Sequence, residues 1–144
     1  MYERISVDEL DTRLRDLFPD LIDWRPTDKA FLLVEQAEMD MLVAEFADDE
    51  TPVIAGAWAC EEVAWGFMVD VRRSMARNIE AIPVLERKIN LAIGVADGTL
   101  FQGIAKGHTV NFFVSREHIY LLDMQTRKYW IAQKGQDKIH FAEI

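Results

Sequence analysis

The sequence predicts an α+β domain in which N-terminal helices pack on a C-terminal antiparallel sheet, and three observations carry that reading. Apolar residues recur at helical spacing through the first part of the chain, to about residue 88. Residues 89–144 instead show alternating apolar residues between Gly-, Asp- and Ser-containing turns. No linker, internal repeat or low-complexity tract separates the two parts, so 1–144 reads as a single domain.

Ser6-Val7-Asp8-Glu9 has the form of a capping box, with Ser6 as N-cap and Glu9 three residues on. Leu10, Leu14 and Leu17 follow on one face, and Pro19 stops the run. Residues 20–26 read as a connector with Leu21, Ile22 and Trp24 tucked against the body. Thr27 or Asp28 is expected to cap a second helix to about Ala47, buried through Phe31, Val34, Met41, Leu42 and Phe46. The run Asp48-Asp49-Glu50-Thr51-Pro52 ends it, because the residue before proline disfavours helix. Val53 to Trp58 reads as an extended apolar approach. A third helix is expected from about Ala59 to Met75, its inward stripe being Cys60, Val63, Ala64, Phe67, Met68, Val71 and Met75.

After Lys88 the period changes. Ile89, Leu91, Ile93 and Val95 alternate, and Asp97-Gly98 is expected to turn the chain. Leu100 to Ala105 reads as a strand broken by Gly103. His108–Val114 and Ile119–Met124 form a hairpin around Ser115-Arg116-Glu117-His118, and two further strands follow at about 129–133 and 139–144.

Composition narrows the function classes. A net charge of −9 argues against a nucleic-acid partner, since phosphate contacts need a basic footprint. A single cysteine rules out an internal disulfide framework and fits a cytoplasmic location; a virion component is equally compatible. No run has the length of a membrane span, so no membrane partner is expected. Metal-ligand spacings, phosphate-cradling glycine loops and nucleotide fingerprints are missing, so neither metal nor cofactor is expected. Acids crowd the middle: ten lie between Ala30 and Val71, with no lysine or arginine. Arg72, Arg73 and Arg77 then follow, in keeping with the dipole of the third helix.

Three polar positions stand out. Cys60 opens the third helix, where the helix dipole and unpaired N–H groups favour a thiolate. If Val114 pairs with Ile119, then His108, Val110, Phe112, Asp123 and Gln125 share one face of the hairpin, and Thr109, Asn111 and Phe113 the other. His108 would be oriented by Asp123 on the diagonal or by Gln125 directly across. Cysteine, histidine and an orienting group are the parts of a nucleophilic site, with Cys60 as nucleophile, His108 as general base and then acid, and Asp123 as orienter. Glu61 and Glu62 oppose a thiolate unless they point outward. The same residues also describe a small core cysteine and a satisfied buried histidine, and both readings stand on spacing alone. His118 and His140 read as incidental.

At these residues the chain resembles the lectin-like or transglutaminase-like domain family of phages and prokaryotes. That family carries Cys-Asp-Asp-Phe-Ala at a helix start, Gly-His-Ala-x-Asn on a strand and Glu-Pro-Gln on the next. The counterparts here are Cys60-Glu61-Glu62-Val63-Ala64, Gly107-His108-Thr109-Val110-Asn111 and Asp123-Met124-Gln125, with Trp58 before the cysteine and Ala92-Ile93-Gly94-Val95 upstream of the histidine. The similarity runs from about Trp58 to Thr126 and departs at the paired glutamates, at Asp123 and at Met124.

The resemblance implies a papain-like or transglutaminase-like fold. Cys60, His108 and Asp123 take the triad positions, supported by Gln125 and Asn111. It implies a cysteine hydrolase or acyltransferase acting on an unknown peptide, amide or glycan-linked substrate. The alternative is a non-catalytic binding or structural module on the same fold.

Overall fold

The computed structural model describes residues 3–46, 59–77 and 89–144. In chain order it holds β1 (Arg4–Ser6), α1 (Val7–Leu17), β2 (Asp23–Arg25), β3 (Ala30–Leu32), α2 (Gln36–Glu45) and α3 (Ala59–Arg77). Then come β4 (Ile93–Phe101), β5 (Ile104–Val114), β6 (Ile119–Asp123), β7 (Lys128–Ile131) and β8 (Lys138–Glu143). Six strands form one sheet in the order β2-β8-β4-β5-β6-β7, antiparallel except where β2 runs parallel to β8; β1 and β3 make a separate antiparallel pair. Among the described residues no helix is long and apolar enough to cross a membrane.

Both faces of the large sheet are covered, because alternate residues of each strand point to opposite sides. Val110, Phe112, Val114 and Leu121 pack with Leu10, Leu14 and Phe18 from α1 and its C-cap. Phe113, Tyr120 and Leu122 pack with Phe67 and Val71 of α3 and Met39 of α2. Ala92, Ala96 and Ala142 keep the first face shallow, which lets α1 lie close. Gly94 is required: a Cβ there would stand 2.4 Å from the Glu143 carbonyl oxygen and 2.5 Å from the Phe112 ring.

The N-terminal helix forms as its residues dictate. Ser6 caps it, its Oγ accepting the Glu9 N–H at 3.2 Å, and the chain leaves helix at Phe18, ahead of Pro19. The third helix carries its stripe as spaced, with Ala64, Phe67, Met68 and Val71 buried and Cys60, Val63 and Met75 half-buried.

The expected papain-like α+β plan, helices first and strands after, is corrected by the N-terminal third. Eight strands stand against three helices among the described residues, and three of those strands precede α2. The expected connector at 20–26 contains β2, which joins the large sheet beside β8. The expected second helix begins only at Gln36, since Ala30–Leu32 pairs with β1. A short apolar run such as Phe31-Leu32-Leu33-Val34 suits a buried strand as well as a helix, and the distant partner strand decides. Thr27 and Asp28 cap nothing: Thr27 Oγ1 donates to the Ile144 carbonyl at 2.6 Å, and Asp28 accepts from Asn90 Nδ2 at 3.2 Å. The later start rotates the face of α2, so Met39 is buried and Met41 exposed; Ile22 is exposed rather than tucked.

Asp97-Gly98 lies inside β4, where the register shifts between Gly98 and Leu100, a bulge rather than a turn. The turn falls at Gln102 and Gly103, both at positive φ (52° and 78°), the pattern of a two-residue hairpin loop. The readings at Asp48–Pro52, Val53–Trp58 and the region 78–88 lie outside the described residues.

Candidate functional site

The β5–β6 hairpin places two of the candidate residues. Its four-residue loop closes with the Ser115 N–H on the His118 carbonyl at 2.9 Å, and Val114 pairs with Ile119. The ladder runs on to Asn111 opposite Leu122, so Val110 lies beside Asp123 and His108 on its diagonal. His108 and Asp123 are both buried, and His108 Nε2 stands 3.0 Å from Asp123 Oδ2. Of the two expected partners of His108, it is the carboxylate that meets the ring. Gln125 supports the pair through its main chain, its N–H donating to Asp123 Oδ1 at 3.0 Å.

Cys60 comes to the same place from α3. Asn111 ties that helix to the sheet: its fully buried Nδ2 donates to the Ala64 carbonyl at 2.8 Å and to the Gly94 carbonyl at 3.1 Å. Asn111 lies on the sheet face opposite His108 and does not touch the imidazole–carboxylate pair; it sets where the first turn of α3 sits. There the half-buried Cys60 thiol lies close enough to Thr109 and His108 for both to act on its titration. With Nε2 committed to Asp123, Nδ1 is the ring nitrogen left for the thiol. Glu61 and Glu62 are exposed, where solvent screens their opposition to a thiolate.

Thr109 is the neighbour that spacing did not single out. The signal was present, since alternation puts residue 109 on the α3 side of β5, where the stripe containing Cys60 packs.

The electrostatics of the three groups are coupled. Partial burial pushes the Cys60 thiol up, but hydrogen bonds from Thr109 and His108 together bring it below its ordinary value. His108 is raised, chiefly by its hydrogen bond to Asp123, which outweighs burial. Burial pushes Asp123 up, and the bonds from His108 and the Gln125 N–H more than reverse this, leaving it lowered. All three shifts favour the charged forms: thiolate, imidazolium and carboxylate side by side. Among the described residues no group of three or more His, Cys, Asp or Glu is placed to hold a metal ion.

The site is open along one edge. β6 ends at Asp123, so residues 104–108 of β5 have a strand partner only on the β4 side among the described residues. The Ser115 N–H points toward β6, and by alternation so does the N–H of Thr109; beyond His108 the register shift against β4 interrupts the alternation. A Cβ built on Gly107 would meet nothing within 4 Å. Solvent reaches the thiol and the strand edge together.

No family model matches the chain, and no curated protein matches it. Solved structures do. The chain is similar to Polyporus squamosus lectin bound to the human-type influenza-binding epitope Neu5Aca2-6Galb1-4GlcNAc, with a TM-score of 0.74 and 18% identity over 98% of this chain and 49% of that one. It is equally similar to the structure of a PSL1a–E64 complex, again at TM-score 0.74 and 18% identity, over 98% of this chain and 50% of the other. The chain thus spans about half the length of the structures it matches. A likeness at this identity shows the fold.

These findings correct the expected relationship. The structures sharing the fold are described as a lectin's and not as those of a papain-like or transglutaminase-like hydrolase, and no phage or prokaryotic lectin-like family model matches. The expected cysteine hydrolase or acyltransferase with a Cys60-His108-Asp123 catalytic triad, read from the residues and from that resemblance, is corrected by the same lectin likeness. The trio keeps its geometry; the roles of nucleophile, base and orienter do not follow from it. A glycan-linked partner is compatible with lectin neighbours.

Proposed function

We propose that the chain is a binding module for a glycan-linked ligand. Cys60, His108 and Asp123 form the polar centre of its site, with Gln125 and Asn111 holding that centre in place. The observation that carries this reading is the buried His108–Asp123 pair, 3.0 Å apart, beside a half-buried thiol and a strand edge with no partner among the described residues. Burying an ionisable pair costs desolvation, and groups with coupled, shifted titrations beside an opening are characteristic of sites rather than cores. The imidazole, the thiol and the exposed edge of β5 offer donors and acceptors suited to ligand hydroxyl and amide groups. In this reading the trio contacts its ligand and transforms nothing. The lectin neighbours support the ligand class, and glycan binding by the matched half of their chains is the step proposed.

The glycan epitope present in one of those neighbours supplies the probe. Calorimetric titration of the parent chain with the sialylated epitope is expected to show binding. His108→Ala should weaken that binding about tenfold, or ~1.4 kcal/mol. The reading is lost if the epitope does not bind, or if His108→Ala and Cys60→Ala bind it as tightly as the parent.

A further inference from the structure

A separate cavity lies at the other end of the same hairpin, about 20 Å from His108 by the rise of β5. Its volume is about 600 Å³, within the range of small-molecule sites. It is built from an apolar floor and a polar rim. The Tyr120 ring is 7% exposed, stacked on Phe113 at 4.6 Å and met edge-on by Tyr129 at 5.7 Å and His118 at 5.9 Å, so it gives the cavity only a margin of its ring. Beside it Ile131 is 42% exposed, a large aliphatic side chain left uncovered on the rim of a polar opening.

The rim is where α2 begins. Glu35 occupies the N-cap but makes no capping bond; its carboxylate accepts the Arg116 main-chain N–H at 3.3 Å across the cavity. The Arg116 guanidinium stands 3.5 Å from Glu3, and Gln36 and Glu117 complete the polar wall.

We infer that this cavity is a second binding site and takes a neutral saccharide unit. A sugar ring presents an apolar C–H face and a belt of hydroxyls that both donate and accept. The exposed Ile131 side chain, with the margin of the Tyr120 ring, matches the first, and Glu35, Glu117, Gln36 and Arg116 the second. Three carboxylates against one guanidinium repel an acidic sugar or a phosphate. A simple cation would leave the Tyr120–Ile131 surface unused and would face Arg116. The ligand class rests on the binding-module reading above, whereas the location is independent of it.

Amide NMR spectra of the full chain, titrated separately with N-acetylglucosamine and with N-acetylneuraminic acid, test it. The neutral sugar is expected to shift resonances at 35–36, 116–118 and 131, and the acidic sugar to leave them in place. Ile131→Glu, on an exposed side chain of the outermost strand, should weaken the neutral sugar about tenfold without lowering the unfolding midpoint. His108→Ala should leave this binding unchanged. Shifts confined to residues 60, 108–109 and 123–125 would overturn this inference while supporting the proposed function. No shift with either sugar, or equal binding of both, would also overturn it.

Discussion

Two buried aspartates, Asp123 at the end of β6 and Asp137 just before β8, are held in different ways. Asp137 is surrounded by fixed donors: its Oδ1 accepts the Gln102 N–H at 2.9 Å and the Trp130 Nε1–H at 3.1 Å, and its Oδ2 the Gln133 N–H at 2.9 Å. Those bonds lock the β4–β5 turn, where Gln102 has positive φ, to the loop after β7. Asp123 has one main-chain donor and one partner that exchanges protons, His108, which in turn meets a thiol. Phe101 touches both neighbourhoods, its ring edge-on to His108 at 5.8 Å and to Trp130 at 6.5 Å. A carboxylate met only by N–H groups is a structural tie. One met by imidazole and thiol at an open edge keeps chemistry available to a ligand.

Removing the first carboxylate should cost the most. Asp137→Ala strands three donors, and a loss of about 4 kcal/mol in unfolding free energy is expected by denaturant titration. The rate of Cys60 alkylation in the folded protein should not change. If it does, the two clusters are one network and the contrast fails.

Asp123→Ala should cost somewhat less, about 3 kcal/mol, because it leaves His108 buried without its partner. Here Cys60 alkylation at neutral pH should slow, since the imidazole loses the carboxylate that raises it. An unchanged rate would show that Thr109 alone polarises the thiol.

The pH dependence is the smallest effect and the sharpest. His108 is raised, so its stabilisation is full below its ordinary value of 6.5 and is lost as pH rises through the folded value. Asp123 is lowered, so its stabilisation is full above its ordinary 3.8 and is lost as pH falls through the folded value. The pair therefore contributes most between 3.8 and 6.5. Unfolding midpoints followed from acid to mildly alkaline pH should decline on both sides of that window, and the alkaline decline should flatten in Asp123→Ala. A parent profile that stays level as pH rises past it would mean that the ion pair adds nothing.

How much of this was legible varied along the chain. The β5–β6 register was legible only on the condition that Val114 pairs with Ile119 across the four-residue loop, since the apolar runs on both strands do not fix it, and the structure has that pairing. That register brought His108 and Asp123 together. It could not choose between Asp123 and Gln125, since main-chain geometry after the strand decides which atom faces the ring. Asp137 was missed altogether, because its donors come from residues 102, 130 and 133, which only the folded sheet gathers.

The sequence by itself determined the local elements whose signals are self-contained: the Ser6 cap, the stripe of α3 and the β5–β6 hairpin. Tertiary structure decided whatever depends on a distant partner. It turned Ala30–Leu32 into a strand, set β2 beside β8, made Asp97-Gly98 a bulge, and hung α3 on Asn111 so that Cys60 reaches His108. The physical reason is that short apolar or glycine-containing segments have nearly balanced local preferences. The backbone hydrogen bonds and buried surface that tip the balance come from residues tens of positions away.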